Sequence, residues 1–149
     1  VYAEKNWGPG FPERWWWGEA HDAETTVAFA GGAVRLGPLA LRATSLVLRH
    51  GGELVRLGLP TGLVTADVRG GRWHLRGRSG RDRVEVEAGA GPEPPVALPF
   101  PAAAEAPGGH VDQHLRGSLR VRWLRGRRLL LDRTLAPAGL ESGTRGEAP

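Results

Sequence analysis

The residues best suited to chemistry are crowded at the start of the chain. Trp15-Trp16-Trp17-Gly18-Glu19 follows Tyr2-Ala3-Glu4-Lys5-Asn6-Trp7-Gly8 and Gly10-Phe11-Pro12, so four of the six tryptophans fall within the first seventeen positions. An extended strand alternates its side chains between two faces, which puts Trp15, Trp17 and Glu19 on one face and Trp16 and Ala20 on the other. Two indoles beside a carboxyl group make a specific constellation. Each ring stabilises a nearby cation through its quadrupole, by about 0.5 to 2 kcal/mol in a dry site. A carboxyl group buried against such rings is pushed toward its neutral form and can donate a proton. This arrangement therefore suits stabilisation of a nearby cation and donation of a proton. The competing reading is packing, with the tryptophans plugging one end of a barrel.

The remaining chain is written as a sheet that could hold such a row. From Glu24 to Thr134, short apolar alternations are separated by glycines: Gly31-Gly32, Gly51-Gly52, Gly70-Gly71, Ser79-Gly80 and Gly126. Each is expected to be a tight turn between antiparallel strands. The two-residue period is plain in Val64, Ala66 and Val68 against Thr65 and Asp67, in Trp73 and Leu75 against Arg72, His74 and Arg76, and in Val84 and Val86 against Glu85 and Glu87. About eight strands without a convincing helix predict an all-β, antiparallel up-and-down meander that closes or nearly closes into a barrel, with a sandwich as the alternative. A barrel of that size can keep an apolar interior for one small hydrophobic ligand. In this plan residues 1–23 lead into the barrel and residues 24–135 form it. Residues 89–109 are a proline-rich loop with a short edge strand at Val96 to Leu98, and residues 136–149 are a small, polar tail.

Composition narrows the function classes. The 149 residues suit one domain, and the absence of cysteine removes disulfides, thiolate metal sites and cysteine nucleophiles. Methionine is also absent, so Val1 is no initiator and the chain is expected to be part of a longer protein. No apolar run is long enough for a membrane helix, which points to a soluble or peripheral protein. The pI near 10.8 comes almost wholly from arginine. The densest group, Arg120, Arg122, Arg125, Arg127 and Arg128, alternates with Leu119, Val121 and Trp123 and reads as the solvated face of a strand, so no nucleic-acid partner is expected. His110 and His114 have the spacing of two zinc ligands on a helix, but Val111-Asp112-Gln113 lacks the metalloprotease glutamate and no metal site is expected. His21 and Asp22 form either an acid–base pair or an exposed loop, while His50 and His74 fall at turn and outward strand positions.

Tyr-Ala-Glu-Lys-Asn-Trp-Gly, then Phe-Pro, then a Trp-x-Trp strand resembles the signature of the tocopherol cyclase family. Gly71-Arg72-Trp73, the Pro95 to Pro101 stretch, Leu115-Arg116-Gly117-Ser118-Leu119 and Ala138-Gly139-Leu140-Glu141 follow in the order that family's second half would have. The resemblance implies a lipocalin-like, calycin-type barrel and acid-catalysed closure of a prenylated hydroquinone to a chromanol, without a cofactor. It implies Glu19 or Glu4 as proton donor, with Tyr2, Asn6, Trp7, Trp15 and Trp17 as substrate-binding residues. Glu19 stands where the family more often has glutamine. The implied partners are a hydrophobic small molecule and the N-terminal half of a longer chain, with peripheral contact to a membrane. A noncatalytic binder of an isoprenoid or quinone on the same scaffold is the alternative.

Overall fold

The alternating segments form ten strands and no helix in a computed structural model that describes residues 12–99 and 110–145. They are β1 (Arg14–His21), β2 (Thr25–Leu36), β3 (Leu39–His50), β4 (Glu53–Leu57), β5 (Leu63–Arg69), β6 (Arg72–Ser79), β7 (Asp82–Gly89), β8 (Val96–Pro99), β9 (His110–Arg125) and β10 (Arg128–Thr144). Their order in the sheet is β4-β3-β2-β1-β10-β9-β7-β6-β5, with the short β8 pairing β9. This is the up-and-down order of the chain run round through the β1–β10 pair, leaving one seam between β4 and β5.

That seam explains the curvature. A flat sheet of the nine strands on the main path would set its edges about 38 Å apart. The link from Leu57 to Leu63 has six Cα steps and reaches only about 20 Å. The sheet must therefore curl, and β5 comes to lie against β3 while β4 approaches β6. The result is the expected all-β, barrel-like meander, left unclosed because no ladder joins β4 to β5. Other contacts tie the curled sheet together. Arg125 at the end of β9 pairs with Glu53 at the start of β4 at 2.7 Å, and Leu57 of β4 covers Gly77 of β6.

The concave side holds the core. Trp73, Trp123, Phe29, Leu46, Leu48, Leu75, Leu119 and Leu140 are fully buried there, joined by Trp16, Val27, Val84, Val86 and Val121. These large side chains occupy the interior where the sequence reading places a small hydrophobic ligand. No helix among the described residues is long and apolar enough to cross a membrane.

Two sequence expectations need correction. Gly31-Gly32 is not a turn: it lies inside β2, paired with Trp16 and Trp15 of β1, and the turn comes later at Gly37. The reason is steric, because the Trp16 indole lies where a Cβ on Gly31 would be, and Pro12 lies against Gly32. Residues 136–144 are likewise no tail but the last part of β10, paired with β1 from Ala138 to Thr144 and with β9 on the other side. Their small residues have little strand preference of their own, and ladders on both sides hold them extended. The hairpins at Gly51-Gly52, Gly70-Gly71, Gly80 and Gly126 stand as expected, and β8 is the short strand expected near Val96.

Candidate functional site: a tryptophan row on the outer face

β1 carries the row, and alternation sorts it as expected. Trp16, Gly18 and Ala20 face the core, with Gly18 closed over by Phe29 and Leu140, while Trp15, Trp17 and Glu19 share the opposite, outward face. Tyr2, Glu4, Asn6 and Trp7 lie outside the described residues.

The outward row is seated on β10. Pairing sets Trp15 opposite Gly143, Trp17 opposite Glu141 and Glu19 opposite Gly139. A Cβ on Gly143 would collide with the six-membered ring of Trp15, and one on Gly139 would come 3.4 Å from the Trp17 ring and 3.8 Å from Cγ of Glu19. The two glycines therefore let both indoles lie flat against the sheet, and Gly139 forms a shared floor under Trp17 and Glu19. Trp15 is buried here, as is Val111, which pairs with Gly143 from β9.

Two residues that the sequence reading does not place in the site complete it. The Trp15 indole N–H donates to Oε1 of Glu141 at 2.9 Å, and Nε2 of Gln113 donates to Oε2 at 3.4 Å. The backbone carbonyl of Glu141 accepts from the Trp73 indole at 3.2 Å, so indoles from both faces of the sheet grip this one residue. The available sequence signal is Gly139-Leu140-Glu141-Ser142-Gly143, in which small, acidic and small residues alternate on one face. Glu19, by contrast, is half-buried and carries no hydrogen bond or ion pair among the described residues. Where β1 and β10 meet the Gly70-Gly71 turn, a small cleft of about 170 Å³ opens beside Trp15 and Trp16.

Other polar groups singled out in the sequence serve the fold. Asp22 accepts the backbone N–H groups of Glu24 and Thr25 at 2.9 and 2.7 Å and pairs with Arg133 at 2.8 Å, closing the β1–β2 turn. His50 bonds the Thr25 hydroxyl. His110 and His114 sit on a strand, and the His114 ring meets Trp73 edge-on at 5.8 Å. Arg120 forks onto Asp132, and Arg125 reaches Asp82 and Glu53 while lying 4.9 Å from the centre of the Trp123 ring. The ligand atoms of His74, Glu85 and Glu87 lie within 4.8 Å of one another, but Glu85 is already held by His74 and Arg76.

These pairings make stability depend on pH. Backbone N–H donors hold Asp22 below its ordinary value of 3.8, Arg120 does the same for Asp132, and the His74 and Arg76 hydrogen bonds hold Glu85 below 4.5. A carboxylate whose folded-state value is depressed adds stability above its unfolded value and loses it as pH falls through the folded one. The denaturation midpoint is therefore expected to hold near about pH 6 and to drop by about pH 3. An unchanged midpoint at the lower pH contradicts these pairings.

Residues 1–144 match the family model described as Tocopherol cyclase-like. The chain is 30% identical to "Probable tocopherol cyclase, chloroplastic" of Oryza sativa subsp. japonica, over 95% of this chain and 33% of that protein. It is 32% identical to "Tocopherol cyclase, chloroplastic" of Zea mays, over 58% of this chain and 20% of that protein. The chain thus spans about a third of the length of the rice relative. No solved structure matches it.

Proposed function

The chain belongs to the tocopherol cyclase-like family, and from that premise we propose that it contributes to ring closure of a prenylated hydroquinone to a chromanol as part of a longer protein. The observation that supports this most is the outward placement of Trp17 and Glu19 side by side over Gly139, with Glu19 bound to no other side chain among the described residues. In the proposed reaction Glu19 gives its proton to the alkene carbon that leaves a tertiary cation on its neighbour. Trp15 and Trp17 lower the energy of that cation through their ring quadrupoles. The substrate's phenolic oxygen then captures the cation, forming the C–O bond, and the phenolic proton returns to the Glu19 carboxylate. Atoms and electrons balance within one substrate, so the product is an isomer and the acid is regenerated.

Water must be kept from the cation. The cleft beside Trp15 and Trp16 is below the range of about 300 to 1,000 Å³ usual for small-molecule sites, and neither Trp17 nor Glu19 is among its lining residues. The described residues accordingly form one wall of the site, and the remainder of the longer protein supplies the others.

The test is to express the parent protein, supply prenylated hydroquinones of several head groups and tail lengths, and look for chromanol by chromatography. Product formation supports the reading, and its absence across the series sinks it. Saturable quenching of tryptophan fluorescence by the same compounds without turnover would identify a noncatalytic hydrophobic binder instead.

A further inference from the structure

The outward side of β5, β6, β7 and β9, separated from the tryptophan row by β10, carries a groove of about 500 Å³. Strand register lays one row across it: Leu63 opposite Arg78, Arg78 opposite Arg83, and Arg83 opposite Leu124. Two like charges thus stand directly opposed, an arrangement that weakens a ladder. Neither guanidinium has a hydrogen bond or ion pair among the described residues. The adjacent row is different, because there the arginines of β6 and β9 share the carboxylate of Glu85.

The groove is also apolar where it need not be. Leu63 is 54% exposed, and Leu124 continues across the β9–β10 ladder into Leu129, which is 49% exposed. Burying these leucines would stabilise the protein, yet nothing within the described chain covers them. One kind of ligand accounts for both the unneutralised arginine pair and the bare leucines.

We propose that this groove binds a single-chain amphiphile with an anionic head, taken up as a free monomer. The head is held between Arg78 and Arg83, and the hydrocarbon chain lies over Leu124 toward Leu129. Guanidinium groups match carboxylate and phosphate oxygens with paired N–H donors, which makes two adjacent arginines a suitable seat for such a head. The groove's volume is that of a site for one small molecule, whereas a membrane surface would call for a broad basic or apolar area. The site is distinct from the tryptophan row and stands whether or not the cyclisation reading holds.

Calorimetric titration of the full chain with dodecanoate, kept below its micelle-forming concentration, tests this. The expected result is saturable binding of one molecule, at least about tenfold weaker in the Arg78→Ala/Arg83→Ala double variant. Leu124→Asp is expected to weaken it similarly. Acetate, which has the head alone, and dodecanol, which has the chain with a neutral head, are each expected to bind at least about tenfold more weakly than dodecanoate. Both arginines are exposed, and removing an opposed like-charge pair should leave the thermal midpoint of the double variant no lower than that of the parent. Undiminished binding by the folded double variant overturns the proposal. So does equal binding of acetate or dodecanol, or association with anionic phospholipid vesicles without binding of the monomer.

Discussion

Replacing Trp73 with alanine is expected to lower folding stability by about 3 to 5 kcal/mol, the range for deleting a large aromatic side chain from a packed core. Trp73 is 1% exposed and lies on the concave side of β6, where it fills the space between the sheet's curled halves. Its indole N–H also donates to the carbonyl of Glu141, which anchors β10 from within. The Trp73→Phe variant separates the two contributions. It keeps most of the buried surface but removes the N–H, so it should cost much less, with about 1 kcal/mol of its effect coming from the lost hydrogen bond. Denaturant unfolding of the three proteins measures both effects. A loss below about 1 kcal/mol for Trp73→Ala would mean that the interior is not filled by this side chain.

Glu19→Gln is expected to reduce turnover of a prenylated hydroquinone by the parent protein about 100- to 10,000-fold, the usual contribution of a positioned general acid. Glutamine matches glutamate in shape but has no transferable carboxylic proton. The half-buried outward position should accept it without loss of fold, which a thermal melt of the variant checks. Trp17→Phe should have a smaller effect, about 2- to 30-fold, because a phenyl ring keeps a weaker form of the same quadrupole. The ordering of the two effects distinguishes chemistry from packing. If Trp17→Phe costs more than Glu19→Gln, Glu19 is not the proton donor and the row acts mainly by shape.

The alternation along β1, β6 and β7 was legible in the chain because a strand's period of two is a local property. The hairpin glycines at Gly51-Gly52 and Gly70-Gly71 were legible for the same reason, since a tight turn depends on a few neighbouring residues. Gly31-Gly32 looked identical to them. Its role depends on Trp16, which lies on another strand, and a glycine that admits an indole cannot be told from one that turns the chain without knowing the pairing. The place of Glu141 and Gln113 in the site was not legible for a similar reason. Their place in the site depends on β10 being paired on both sides and on register, which sets Trp17 opposite Glu141 and Glu141 opposite Gln113.

The sequence by itself determined that Trp15, Trp17 and Glu19 would share a face, and that an all-β meander would carry them. It could not say which face is inside. Alternation is symmetric between the two sides of a strand, and β1 has tryptophan on both. Only the curled sheet broke that symmetry. On its concave side the large buried side chains of other strands leave room for Trp16 beside Gly18 and Ala20. On the convex side, Gly139 and Gly143 leave flat backbone on which Trp17 and Trp15 can lie.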